Sequence, residues 1–77
     1  LDRYISLANL ETRIGYEQDL GRLAKEVEAL AAKCDHIPLI AIDEIQKIPI
    51  LTDAIQDLID RNLGQFILTG SSARKLR

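Results

Sequence analysis

The stretch Leu39-Ile40-Ala41-Ile42 is apolar at every position and stops abruptly at two acids, Asp43-Glu44. A strand sends alternate side chains to opposite faces, so an uninterrupted apolar run needs cover on both sides, as in the middle of a parallel sheet. Further along, Phe66-Ile67-Leu68 runs into Thr69-Gly70-Ser71-Ser72. Two buried strands that each deliver polar groups at their carboxyl ends predict an α/β fold, because that edge of a parallel sheet is where ligands bind.

The remaining segments fit between these strands. Arg3–Ala8 alternates as a short strand, with Tyr4 and Ile5 supplying β propensity. Asn9 is placed to cap a helix over Leu10–Glu17, and Asp19 is a second candidate cap. Leu20, Leu23, Ala24, Val27, Leu30 and Ala31 then recur at helical spacing, with Arg22, Lys25, Glu26 and Lys33 on the other side. Cys34-Asp35-His36 is a polar break, and Pro38 favours an extended entry into the next strand. After Pro49, Leu51, Ala54, Ile55, Leu58 and Ile59 share one face of a predicted helix over Ile50–Asn62. Gly64 stands where a left-handed helix terminator is expected, Gln65–Thr69 is the third strand, and Ala73 begins another helix.

Right-handed crossovers dominate parallel topologies. Three neighbouring strands added in one direction therefore put both crossovers on one face. The opposite face, carrying half of Leu39–Ile42 and of Phe66–Leu68, is then expected to be bare apolar surface in need of a partner. With 77 residues, 47% apolar and a net charge of −2, the composition suits a globular protein without a general nucleic-acid footprint. No apolar stretch is long enough to span a bilayer, and one cysteine excludes an internal disulfide, which fits a cytoplasmic location. The first residue is Leu1 and the last residues are charged helix formers, so both ends read as cuts through a longer protein.

The residue types at the two strand ends suit phosphoryl chemistry. One carboxylate can hold magnesium, commonly through water, while its neighbour orients or deprotonates the attacking water. If the strand continues through them, Asp43 and Glu44 point to opposite faces and cannot share one task. Thr69 and Ser71 can bring hydroxyls beside a terminal phosphate, and Gly70 lets backbone approach closely. The plainer alternatives are an acidic loop pair and a Thr-Gly-Ser-Ser turn that caps the following helix. Arg74 and Lys75 read by default as solvated cations, His36 as a solvated loop histidine, and Cys34 as a small apolar residue at a helix end.

Two longer strings make the pattern specific: Leu39-Ile40-Ala41-Ile42-Asp43-Glu44-Ile45-Gln46-Lys47-Ile48-Pro49 and Phe66-Ile67-Leu68-Thr69-Gly70-Ser71-Ser72-Ala73-Arg74-Lys75-Leu76. Together they resemble a prokaryotic family of AAA-type P-loop ATPases, whose ATPase domain is followed by an uncharacterised, nuclease-like C-terminal region. The resemblance covers nearly the whole chain. It implies ATP and Mg2+ as ligands, Asp43 as the Walker B magnesium acid and Glu44 as the catalytic acid. It further implies Thr69, with Ser71 beside it, as nucleotide-binding residues of the sensor-1 strand. The family's sheet order, 5-1-4-3-2, makes residues 1–77 a partial P-loop ATPase domain holding strands 2, 3 and 4. No Gly-x-x-x-x-Gly-Lys-Ser/Thr occurs in the chain, so the phosphate-binding loop is expected outside it, and the fragment alone is expected to be inactive. The expected partners are ATP and the remainder of the same domain, with a protein partner or self-association as further options and nucleic acid left open. Two alternatives stand beside this reading: a helicase-type motor, and a degenerate P-loop module used for regulation or interaction.

Overall fold

The structure, a computed structural model, describes residues 1–70. Strand β1 (Arg3–Ser6) is followed by helices α1 (Leu10–Gln18) and α2 (Arg22–Lys33), then by strand β2 (Leu39–Asp43). A single 3-10 turn (Ile45–Lys47), helix α3 (Leu51–Asp60) and strand β3 (Gln65–Leu68) complete the described chain. The three strands form one parallel sheet in the order β1-β2-β3, with the doubly apolar strand in the centre. The α/β class and the strand order therefore agree with the pattern of the sequence. The helix start at Ala73 lies outside the described residues.

The register explains which residues make the core. Ile5 pairs with Ile42, and Ile40 with Phe66, on the face covered by helices. Leu23 and Val27 of α2 and Leu51, Ile55 and Leu58 of α3 pack onto this face, and Leu58 is completely buried. Fully burying each such side chain contributes about 1.5–3 kcal/mol before conformational entropy is counted. Helices α2 and α3 pack against each other, and Arg61 bridges to Glu28 at 3.0 Å. On the opposite face, Tyr4, Ala41 and Ile67 lie in one row across the strands. Tyr4 is 60% and Ile67 50% exposed, so this face lacks a covering layer within the described residues.

Local details differ from the sequence pattern at four places. Asn9 caps α1 as expected, accepting from the Thr12 N–H at 3.0 Å, but Asp19 caps nothing with its side chain. It ends α1 instead, and its carbonyl accepts from the Arg22 N–H, so α2 starts after Gly21 and leaves Leu20 partly exposed. Second, the left-handed residue after α3 is Asn62 (φ 58°), not Gly64. The Asn62 N–H donates to the Ile59 carbonyl and the Leu63 N–H to the Leu58 carbonyl, the paired bonds of a Schellman terminator.

Gly64 is required for space instead. A Cβ there would lie 3.0 Å from the Phe66 ring, 3.2 Å from a Val27 methyl and 3.3 Å from the Ile40 Cδ1. Third, β1 and β3 end at Ser6 and Leu68, short of the expected Ala8 and Thr69. Fourth, β2 ends at Asp43, and Glu44 adopts φ 60°, ψ 46°. The alternation that would send Asp43 and Glu44 to opposite faces is thus broken at Glu44.

A polar cluster joins the first two helices over the edge of the core. The Tyr16 hydroxyl donates to Glu26 Oε1, while Arg22 Nε donates to Glu26 Oε2 at 2.9 Å and stacks 4.7 Å above the Tyr16 ring. Burial favours the neutral form of Glu26, but Tyr16, Arg22 and Arg3 outweigh it and hold the carboxyl below its usual range.

Candidate functional site

The carboxyl edge of the sheet gathers its polar groups around Thr69. The Thr69 N–H donates to the Ile42 carbonyl at 3.0 Å, which extends the β2–β3 ladder by one bond. Its hydroxyl donates to Asp43 Oδ1 at 2.6 Å, a distance typical of a hydroxyl held by a carboxylate. Its carbonyl accepts from the Ile45 N–H at 3.0 Å. One residue at the end of β3 therefore holds the chain on both sides of Glu44. On the other flank, the Leu7 N–H donates to the Asp43 carbonyl at 3.0 Å. Asp43 is fixed by its neighbours on each side of the central strand.

The tight turn follows from these anchors. With Asp43 and Ile45 both tied to Thr69, Glu44 must reverse direction within one residue, which brings it into the left-handed region. For a residue other than glycine that conformation costs on the order of 1–2 kcal/mol. The backbone hydrogen bonds around it offset the cost. The turn also draws the Glu44 side chain inward, leaving it 8% exposed, and Gln46 Nε2 donates to its Oε1 at 2.7 Å. Asp43 stays half-buried and Thr69 is exposed, so both can be reached from solvent at the sheet edge.

Three of the four site residues read from the sequence, Asp43, Glu44 and Thr69, are therefore neighbours at one edge. Ser71 lies outside the described residues. Gln46, in the loop after the acid-bearing strand, where a lining role and a surface role are equally compatible with the sequence, contacts Glu44 directly. The donor set of Asp43 and Thr69 is all oxygen, with one carboxylate and one hydroxyl in contact. Hard cations such as Mg2+ prefer oxygen ligands and usually keep several waters, so these residues fit a magnesium-nucleotide ligand.

The parallel strand order and the helices on one face give an α/β architecture consistent with part of a P-loop nucleotide-binding domain. A family model described as an AAA domain matches residues 3–77. The chain belongs to that family. No curated protein and no solved structure gives a match. Among the described residues, no helix is long and apolar enough to cross a membrane.

Proposed function

We propose that this chain is the acid-bearing part of an ATP-binding and ATP-hydrolysing domain. Asp43 is the residue that holds Mg2+, through water, and Glu44 is the catalytic acid. Thr69 and Ser71 are the nucleotide-contacting residues at the end of β3. Strands β1, β2 and β3 take the places of the second, third and fourth strands of the family's sheet. The phosphate-binding loop is supplied by residues outside this chain, on a strand beside β3. Membership of an AAA family supports nucleotide use in general, and the three bonds of Thr69 around Asp43-Glu44 are the observation that carries the residue assignments.

Each side chain has a distinct task in this reading. Thr69 Oγ1 donates to Asp43 Oδ1 and so orients the Asp43 carboxylate at the sheet edge. Gln46 donates to Glu44 Oε1 and so helps hold the carboxylate that accepts a proton from the attacking water. Burial of Glu44 limits competing solvent around that proton. Magnesium, when bound, neutralises the charge that develops on the phosphate oxygens during transfer. The bare row of Tyr4, Ala41 and Ile67 is covered by the rest of the same domain, since an apolar strip of this kind needs a partner.

The test separates the two acids in the complete domain. Asp43→Asn weakens magnesium-nucleotide binding or its productive geometry, because an amide is a poorer partner for a hydrated cation. Glu44→Gln leaves binding largely intact and slows hydrolysis by about a hundred- to ten-thousand-fold, the usual contribution of a positioned base. Nucleotide binding and single-turnover hydrolysis are measured on folded mutant protein. Near-wild-type hydrolysis by Glu44→Gln removes Glu44 from the mechanism. Binding without turnover in the wild-type domain supports a regulatory module instead.

A further inference from the structure

We propose that Asp2, Cys34 and His36, at the amino-terminal edge of the sheet, form a binding site for a divalent transition-metal ion of the zinc class. The site lies at the opposite end of β2 from Asp43 and is independent of nucleotide chemistry. Asp2 precedes β1, whereas Cys34 and His36 lie between α2 and β2, so the fold brings together residues far apart in sequence. One donor atom from each of the three lies within 4.8 Å of the others.

The geometry is close to what such an ion requires. His36 Nε2 is 3.2 Å from both Asp2 carboxylate oxygens. Around a tetrahedral zinc ion, with bonds of about 2.0–2.3 Å, donor atoms sit roughly 3.3–3.6 Å apart. The histidine and carboxylate donors thus hold nearly the required separation, and a modest movement brings in the sulfur. Asp2 is pre-positioned by backbone, since its N–H donates to the Leu39 carbonyl and its Oδ2 accepts from the Leu39 N–H, both at 2.8 Å. The opposite nitrogen of the ring, His36 Nδ1, lies 3.0 Å from Asp35 Oδ1. A carboxylate on the far nitrogen is the arrangement that orients metal-binding histidines and raises their basicity.

A His36–Asp2 charge pair accounts for two of these residues, and the sulfur of Cys34, at the C-terminal cap of α2, supplies the third donor within reach. The mixed sulfur, nitrogen and oxygen set favours zinc-like ions over magnesium or calcium, which take oxygen ligands. Zinc-class ions bind neutral imidazole and thiolate rather than the protonated forms, so metal binding at such a donor set strengthens as pH rises. Three protein donors leave a fourth position for water. The bound ion would tie the start of β1 to the α2–β2 connection.

Cobalt(II) is the probe, added to the complete, metal-free protein under reducing conditions. The expected result is a thiolate-to-cobalt charge-transfer absorption that saturates at one equivalent and is bleached by zinc. Cys34→Ser abolishes that absorption. His36→Gln, at an exposed position where folding is not at risk, weakens cobalt binding at least tenfold. Asp35→Asn keeps the absorption but lowers affinity by about 10–100-fold, as loss of an orienting carboxylate does. Absence of the absorption in the wild-type protein overturns the proposal. So does an absorption that survives Cys34→Ser, or an affinity unchanged by His36→Gln.

Discussion

Gly64→Ala should destabilise the domain, and the reason is steric. The glycine has no positive φ, so alanine meets no backbone strain there. Its new methyl would instead lie 3.0–3.3 Å from Phe66, Val27 and Ile40, closer than ordinary carbon contacts. Overpacking of this kind costs about 1–3 kcal/mol. Against it, alanine restricts the unfolded chain and returns about 0.4–1 kcal/mol. The net loss is about 1 kcal/mol, which lowers a urea midpoint by roughly 0.5 M for a slope near 2 kcal/mol/M.

A double-mutant cycle with Val27→Ala identifies the cause. Removing the Val27 methyls makes room for the new one, so the pair should be less destabilised than the sum, with a coupling of about 0.5–1 kcal/mol. A strained left-handed terminator at Gly64 would not depend on Val27. Additivity within about 0.3 kcal/mol in urea unfolding of the complete domain would refute the packing argument. As a companion control, Asn62→Gly at the true left-handed position should be tolerated or mildly stabilising.

Tyr16→Phe removes one hydrogen bond to Glu26 and should cost about 1–2 kcal/mol in urea unfolding, with Arg22→Ala adding less than additively. The His36 imidazole is raised above its ordinary value by its bond to Asp35 and then by Asp2. Its contribution is therefore complete below the unfolded-state value and is lost as pH rises through the folded-state value. With chelator present, thermal melts should show stability falling as pH rises past the ordinary histidine value, a fall that His36→Gln lacks, and identical pH profiles would count against it. Residues 1–77 produced alone should associate through the Tyr4–Ala41–Ile67 face and show no magnesium-dependent ATP turnover above a heat-treated control. Ile67→Lys should reduce that association in sedimentation, and a monomeric, cooperatively unfolding wild-type chain would contradict the exposed-face reading.

The sequence by itself determined the strands, their direction and the edge at which the acids emerge. The double-sided apolar run of Leu39–Ile42 requires a central position, and parallel crossovers bring the carboxyl ends of neighbouring strands to one edge. Asp43 and Thr69 are consequently legible as a pair in the sequence alone. What happens between those anchors was decided by tertiary structure. Glu44 turns left-handed because Thr69 grips both Asp43 and Ile45 across 26 and 24 residues of chain, which no local propensity encodes. Asn62 rather than Gly64 terminates α3 because Gly64 is needed where Val27, Ile40 and Phe66 converge, a crowding set by packing between distant segments. In the same way, Asp2 meets His36 only after β1 and β2 align, since Arg3 pairs with Ile40 and carries the preceding residue to the start of the central strand. Hydrophobic period and chain direction are local or topological quantities. Register, crowding and long-range hydrogen bonds exist only once the whole sheet has closed on its helices.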